Sequence, residues 1–364
     1  MKFRLIVIVM LLLTAGALVA VAWLTGRWVL TSIVIGLVFG FAAQRAGFCG
    51  ASILSNVVLE KDVRGVVGAG FAIFVAMLGF AVLAAMGLVE PNPKPFKLLP
   101  AVIGGIVFGT GMVFAGGCVS GCLYKAGEGR LTAMLGVIGA GIGTNLMGPG
   151  LLGSVNRTIA GATRQIEVSA GLDQMMELSF PVTAAVVGVL GLCFMVALAV
   201  RQSSRQASST SLTERFLTEG WSLSQVGVLV GVLGWFAYLS STASGRNYPL
   251  GVTHGVMALF SQLVGGQTPI KWWLALFALS MVAGSTISAW MRKMLSLRSA
   301  DPVTLLTALA GGVLVGAGAV IGGGCFVGNI LSGWALLSMH TLVFGLFMIL
   351  ANWVTTIFYL RGLK

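Results

Sequence analysis

Apolar residues run along this chain in long blocks that are separated by short polar or glycine-rich segments. A helix needs roughly 20 apolar residues to cross a bilayer. The blocks that approach this length are Leu5–Leu24, Val66–Val89, Leu131–Met147, Phe180–Val200, Leu223–Leu239, Trp272–Trp290 and Leu342–Leu360. The pattern therefore predicts an all-α, polytopic membrane protein.

A second pattern recurs within the apolar sequence. It is a Gly-x-x-x-Gly motif, followed by a glycine-rich break with a cysteine thirteen positions after the first glycine. The copies are Gly36, Gly40 and Cys49; Gly105, Gly109 and Cys118; and Gly312, Gly316 and Cys325. A degenerate copy begins at Gly227 and has Ser240 at the thirteenth position. A repeated unit of helix and break predicts a site that is built from equivalent loops.

The glycines of these units fall into two classes. Those of Gly-x-x-x-Gly are interpreted as packing positions, because small residues let membrane helices approach closely. Those beside the cysteines interrupt apolar helices, and irregular backbone at membrane depth is tolerated only where it is buried in protein or lines a wet cavity. Each break precedes a short apolar helix whose N-terminus directs amides and a positive dipole end at the break. These short helices are predicted at Ala51–Leu59, Val119–Lys125 and Phe326–Leu337.

The spacing of the units predicts the domain organisation. Like units are separated by an odd number of crossings, which turns the second upside down relative to the first. We therefore expect two pseudo-symmetric inverted halves, whose broken or re-entrant helices meet near the midplane. The predicted segments are an extra N-terminal transmembrane helix over 1–27, a first half over 28–200, a polar linker over 201–220 and a second half over 221–364.

Composition agrees with a membrane location. The chain is 57% hydrophobic and 9% charged, with a net charge of +12, whereas soluble domains are about 25% charged. The basic residues stand mostly at helix ends, where they can anchor the protein to anionic lipid or form a cationic path for an anion. No nucleic acid is expected as a partner.

The cysteines allow several kinds of chemistry. Cys193 lies in an unbroken apolar helix, where a thiol acts as a small hydrophobe. A structural zinc site wants closely spaced ligands, and His254 and His340 have no such spacing, so no metal or cofactor is predicted. A thiol-disulfide oxidoreductase that uses Cys118 and Cys122 stays open, although the spacing is an imperfect version of Cys-x-x-Cys. Recognition of a permeating ion by thiols and helix-end amides fits best.

Several of these motifs resemble those of the YeeE/YedE sulfur-transport family. They are Gln44-Arg45-Ala46-Gly47-Phe48-Cys49, Ala115-Gly116-Gly117-Cys118-Val119-Ser120-Gly121-Cys122, Lys125-Ala126-Gly127-Glu128-Gly129, and Gly322-Gly323-Gly324-Cys325 with Gly328 and Asn329. The resemblance implies an hourglass-shaped helical protein of the bacterial inner membrane that takes up a small sulfur oxyanion, thiosulfate in one branch of the family. It also implies cytosolic TusA-like sulfur carriers as partners. A related branch is linked to selenium. In chain order the four units begin at Gly36, Gly105, Gly227 and Gly312. The third unit departs from the motif, with Arg246-Asn247-Tyr248-Pro249 in place of a cysteine loop.

The resemblance assigns the central path to Cys49, Cys118 and Cys325. Thiosulfate has one soft sulfur and three hard oxygens, which suit weak thiol donors and backbone amides respectively. Further candidates near the breaks are Gly50, Gly117, Gly121, Gly324, Cys122, Ser240 and Asn329. The loop glycines are expected to let the backbone bend and the ion approach its amides, and the polar side chains either bind the ion or cap helices. We therefore predict a transporter and not an enzyme, with no Walker motif for ATP coupling.

Overall fold

The computed structural model describes residues 16–17, 19–162, 170–203 and 220–360. This part of the chain is almost wholly helical, without β-strands. Eight segments in it are long and apolar enough to cross a membrane: Trp28–Leu59, Arg64–Ala85, Leu98–Gly127, Phe180–Arg201, Leu223–Ala243, Trp272–Met291, Pro302–Ile321 and Met339–Tyr359. The prediction of an all-α, polytopic membrane protein is confirmed. Most of the predicted Leu5–Leu24 helix and most of the 201–220 linker lie outside the described residues.

The helices are numbered in chain order. They are α1 Thr31–Ala46, α2 Gly50–Leu59, α3 Arg64–Ala85, α4 Leu98–Phe114, α5 Val119–Gly127, α6 Leu131–Met147, α7 Gly153–Ala162, α8 Phe180–Ser203, α9 Leu223–Ala243, α10 Thr253–Leu263, α11 Trp272–Met291, α12 Pro302–Ile321, the π-helical α13 Phe326–Gly333, and α14 Met339–Thr355. A single helical turn, Leu172–Met175, precedes α8.

The three cysteine units have the predicted order of long helix, break and short helix. In each unit the long helix is followed by a glycine in the left-handed region: Gly47 (φ 65°), Gly116 (φ 64°) and Gly323 (φ 70°). Side chains other than glycine rarely adopt this conformation, which is a common way to end a helix. The left-handed position is therefore one residue earlier than Gly117 and Gly324, at which we had expected the backbone to bend.

Glycines of the Gly-x-x-x-Gly motifs are packing positions, as predicted. A Cβ built on Gly36 of α1 would lie 2.5 Å from the Phe277 carbonyl oxygen of α11. On Gly105 of α4 it would lie 2.6 Å from the Phe344 carbonyl oxygen of α14. Both contacts are with backbone atoms, so a side chain at either position would push two helices apart.

Helices of each predicted half pack against helices of the other half. The first helix of each half packs against a crossing helix of the other half, so that α1 contacts α11 and α9 contacts α3. In the same way α4 contacts α14, α12 contacts α6, and α4 and α12 contact each other. Two related halves would produce this reciprocal arrangement. That one half is inverted relative to the other stays a prediction.

Two hydrogen bonds connect a long helix of one predicted half to a short helix of the other. Asn145 Nδ2 on α6 donates to the Met257 carbonyl of α10 at 3.0 Å, and Trp353 Nε1 on α14 donates to the Leu54 carbonyl of α2 at 3.2 Å. Each acceptor lies five positions after the N-cap residue of its short helix, which is Cys49 for α2 and Val252 for α10. Each predicted half thus contacts a short helix of the other.

Ser240 is not at a break, and that prediction was wrong. It lies inside α9, which continues to Ala243, and its hydroxyl accepts a hydrogen bond of 3.0 Å from Trp273 Nε1. In the first unit the short helix begins 14 positions after Gly36, whereas in the third unit it begins 26 positions after Gly227. The third unit therefore has a longer helix and a longer loop. Counting thirteen positions from its first glycine, as in the other units, ends inside the helix and not at the break.

Candidate functional site

The three break cysteines occupy the same position in their units. Cys49, Cys118 and Cys325 are the N-cap residues of α2, α5 and α13, and each has an extended backbone. All three side chains are buried. The first-turn amides and the positive dipole end of a helix are therefore next to each thiol, which is an arrangement that favours an anion.

Cys49 and Cys118 face each other across Gly121. A Cβ built on Gly121 would collide with Cys49 Sγ and would lie 3.5 Å from Cys118 Sγ. Cys118 Sγ also accepts a hydrogen bond of 3.4 Å from the Gly121 amide and lies 3.2 Å from Ser120 Oγ. Only glycine leaves room for both sulfurs at this point.

Cys325 is linked to this pair through its neighbour in the chain. A Cβ built on Gly50 would lie 2.6 Å from the ring of Phe326. Since Gly50 follows Cys49 and Phe326 follows Cys325, the breaks of the first and fourth units are in contact. The structure thus brings the three cysteine breaks together at one place.

Cys122 has a different environment. Its Sγ lies 3.9 Å from the Ala115 carbonyl oxygen and would be 2.9 Å from a Cβ built on Gly136 of α6. It fills the interface between α5 and α6. All of the cysteines are free thiols, and Cys193 is exposed on α8, where it would face lipid.

A cavity of about 610 Å³ opens above Cys325. We call it the basic vestibule. Its lining residues include Asn92, Lys94, Arg246, Tyr248, Thr253, His254, Lys271, Trp273, Gly324 and Cys325. No aspartate or glutamate is among the residues that line it. The walls therefore carry positive charge, and a positively charged cavity attracts anions.

Lys94 lies directly beside the Cys325 loop. Its ammonium group donates hydrogen bonds to the Gly323 carbonyl at 2.7 Å and to Asn329 Oδ1, and it stands 5.0 Å from the ring centroid of Tyr248. Burial is the main cause that lowers the pKa of Lys94 to about 7, and the charge of Arg246 adds to the shift.

Asn329 stabilises the loop that Lys94 contacts. Its Nδ2 donates to the carbonyls of Gly322 and Gly324, each at 3.0 Å. The amide side chain therefore has partners in the protein for both its donor and its acceptor. This observation favours the capping interpretation of Asn329 over a direct ligand role.

Arg246 is fixed by the long loop of the third unit. Its Nη1 donates to Ser241 Oγ at 2.9 Å and to the carbonyls of Tyr248 and Pro249, each at 2.7 Å. The Tyr248 hydroxyl in turn donates to the Gly328 carbonyl of α13 at 2.8 Å. The loop that replaces a cysteine break thus carries a cation and holds it against the fourth unit.

Sequence reasoning missed Lys94 and Lys271 as site residues. A usable signal for Lys94 was the segment Pro91-Asn92-Pro93-Lys94-Pro95, which alternates proline with polar residues between two apolar helices. Such a segment cannot continue a helix, so it had to form a rigid loop at a membrane surface.

A family model described as sulphur transport matches residues 45–354, which include all of these breaks. The chain belongs to this sulphur-transport family. One relative of this chain is a thiosulfate transporter TsuA from Spirochaeta thermophila. It is 32% identical over 341 residues, which cover 89% of this chain and 96% of the relative. A TsuA from Escherichia coli is 29% identical over 332 residues, covering 90% and 94%. A probable transporter YedE from Salmonella typhimurium is 30% identical over 117 residues, which is 32% of this chain and 28% of the relative.

Proposed function

We propose that the protein takes up thiosulfate, or a closely related sulfur oxyanion, across the bacterial inner membrane. The observation that carries the proposal is the convergence of three N-cap cysteines, Cys49, Cys118 and Cys325, beneath a cavity with basic walls. The names of two relatives that match nearly the full chain support the same substrate.

The chemistry of the path suits this ion. Its oxygens meet basic side chains in the vestibule, and its terminal sulfur then meets the thiols, first Cys325 and afterwards the pair Cys49 and Cys118. Neutral thiols are required in this role, because a thiolate would repel a dianion. Several weak sites in series let an ion enter and leave again, whereas a single strong site would retain it. Transport of this kind involves no covalent step, so we propose no enzymatic activity.

The loop glycines provide space along the path. Gly121 makes room for Cys49 and Cys118, and Gly50 lets α2 approach α13. A Cβ on Gly324 would lie 2.9 Å from Lys94 Nζ, and one on Gly117 would lie 3.1 Å from the Cys122 amide nitrogen. We assign these glycines to the close approach of backbone and ion, and Cys122 to packing beside them.

The alternative prediction, a thiol-disulfide oxidoreductase that uses Cys118 and Cys122, has less support. Cys118 Sγ points toward Ser120 and Gly121, whereas Cys122 Sγ points toward Ala115 and α6. A redox pair needs its two sulfurs to meet. On the cytosolic side, the family resemblance makes a TusA-like sulfur carrier the proposed acceptor of the ion.

Uptake by the purified protein tests the proposal. Proteoliposomes that contain the full chain should accumulate ³⁵S-labelled thiosulfate above the level of empty liposomes. The protein should also support growth on thiosulfate in a bacterium that cannot take up sulfate. Selenite is run in parallel, since uptake of selenite without thiosulfate would assign the protein to a selenium substrate. Absence of both activities in folded protein would refute the proposed function.

A further inference from the structure

The second and fourth units share a feature beyond their cysteines, which is a lysine on an equivalent backbone carbonyl. In each unit the glycine in the left-handed region, Gly116 or Gly323, lies two positions before the cysteine. Lys125 Nζ donates to the Gly116 carbonyl at 2.6 Å. Lys94 Nζ donates to the Gly323 carbonyl at 2.7 Å. Each of these breaks therefore has an ammonium group bound at the same point of its backbone.

The preceding carbonyl also faces a side chain in both units, and this side chain comes four positions after the cysteine. In the fourth unit Asn329 Nδ2 donates to the Gly322 carbonyl at 3.0 Å. In the second unit Cys122 Sγ lies 3.9 Å from the Ala115 carbonyl oxygen. Two successive carbonyls are thus contacted in the same way at both breaks.

The two lysines come from different elements. Lys94 belongs to the loop before α4, whereas Lys125 belongs to the last turn of α5. Lys125 comes two helical turns after Cys118, so it lies on nearly the same face of α5 as the start of that helix. The shared acceptor does not follow from a repeated local sequence, and it indicates a requirement at the break itself.

The requirement follows from the effect of a carbonyl on an anion. A carbonyl oxygen has a partial negative charge and repels a dianion, whereas the first-turn amides of α5 attract it. Glycines on both sides let the peptide between Gly116 and Gly117 rotate easily. The Gly117 amide donates to the Met112 carbonyl at 3.1 Å, and Lys125 binds the other end of this peptide through a charge-assisted hydrogen bond.

We propose that Lys125 is a positioning residue for transport, which holds the Gly116 carbonyl away from the ion and fixes the loop that ends in Cys118. The inference rests on the proposed function, because it places the Cys118 break on the path of the ion. The charge of Lys125 also acts on Cys49 and Cys122, so its ammonium group is close to the thiols. Lys125 is thus the counterpart, at the second unit, of Lys94 at the fourth.

Alkylation of Cys118 measures the position of the loop without reference to transport. The purified full-length protein in detergent is treated with iodoacetamide, and mass spectrometry follows modification of Cys118 and of Cys193, which is exposed and serves as an internal reference. Lys125→Met should raise the alkylation rate of the buried Cys118 severalfold, because a loosened loop opens more often. The rate at Cys193 should not change.

The direction of the change separates positioning from an electrostatic effect. Loss of a positive charge near Cys118 disfavours the reactive thiolate and would slow alkylation, whereas loss of the bond to Gly116 should accelerate it. Lys125→Arg keeps a charged donor and should keep the wild-type rate. Lys61→Met, at an exposed lysine after α2, should also match the wild type. Should Lys125→Met fail to fold, as judged by its thermal unfolding, Lys125→Gln tests the same bond.

Uptake into proteoliposomes is measured on the same preparations. Lys125→Met should lower maximal thiosulfate uptake by about tenfold, as expected for the loss of one hydrogen bond to a charged group. Its KM should stay within about twofold of wild type, since the ion enters at the other end of the path. Lys125→Arg and Lys61→Met should transport normally.

The two measurements separate this inference from the proposed function. An unchanged or slower alkylation of Cys118 in folded Lys125→Met, or normal uptake by that variant, would overturn the positioning role while wild-type uptake retains the transport function. Absence of uptake by the wild type would refute the transport function. Faster alkylation of Cys118 in Lys125→Met would then still show that Lys125 holds the loop, but not that it does so for transport.

Discussion

At the scale of residues, the thiols differ in what they face. Cys49, Cys118 and Cys325 start short helices at the convergence of the breaks, whereas Cys193 is exposed on α8. Replacing any of the first three singly with alanine should lower thiosulfate uptake by about tenfold or more, as expected when more than about 1.4 kcal/mol of stabilisation is removed from the limiting step. Cys193→Ala should transport normally. Equal uptake by all four variants in proteoliposomes would remove the thiols from the path.

Lys94 gives the vestibule a dependence on pH. With a pKa of about 7, its ammonium is charged below pH 7 and loses its proton as the pH rises, so the attraction for an anion is present at pH 6 and mostly lost at pH 8. Arg246 keeps its charge across this range, since burial lowers its pKa only to about 10, and His254, with a pKa of about 4, stays neutral. We expect the KM for thiosulfate to rise severalfold between pH 6 and pH 8.

Arginine at position 94 separates charge from other effects of pH. Lys94→Arg should flatten the dependence of KM on pH, because a guanidinium stays charged throughout. Lys97→Arg, at an exposed position three residues further along the same loop, should keep the wild-type profile. A pH profile that is the same in Lys94→Arg and the wild type would show that another group titrates.

At the scale of elements, each cysteine unit contains packing glycines in its long helix and loop glycines at its break. We expect an added methyl group to have different effects at the two kinds of position. Gly36→Ala should force α1 away from the backbone of α11 and lower stability by about 1 to 3 kcal/mol, which appears as earlier thermal aggregation. The methyl group of Gly324→Ala would have side-chain atoms as its nearest neighbours, Asn329 Oδ1 at 2.8 Å and Lys94 Nζ at 2.9 Å, and not the backbone of another helix. It should therefore reduce uptake with near-normal stability. If Gly324→Ala fails only through misfolding, the break is a structural feature and not a site.

At the scale of the whole molecule, each predicted half forms a hydrogen bond to a short helix of the other. Asn145→Ala should loosen α10 and Trp353→Phe should loosen α2, each by about 1 kcal/mol, as for other hydrogen bonds between membrane helices. Because the two hydrogen bonds share no residue, the losses in thermal stability should add in the double variant. Trp23→Phe, at a side chain that is 72% exposed, serves as the control. No loss in either single variant would mean that the halves do not depend on these bonds.

The sequence by itself determined the membrane class, the positions of several long helices and the breaks at the three cysteines. These features depend on local patterns: apolar length decides a membrane crossing, and glycine runs decide where a helix stops. Leu131–Met147 was predicted with the bounds that α6 has in the structure. The same local information placed Cys49, Cys118 and Cys325 at equivalent breaks.

Only the tertiary structure decided which breaks meet and what surrounds them. The contact between Gly50 and Phe326 joins segments that are far apart in the chain, and so does the bond from Lys94 to the loop before Cys325. Ser240 shows the limit of spacing, because α9 continues past the position where the other units break. The length of α9 depends on its packing against α3 and α1 as well as on the local sequence, and a periodic motif does not contain that information.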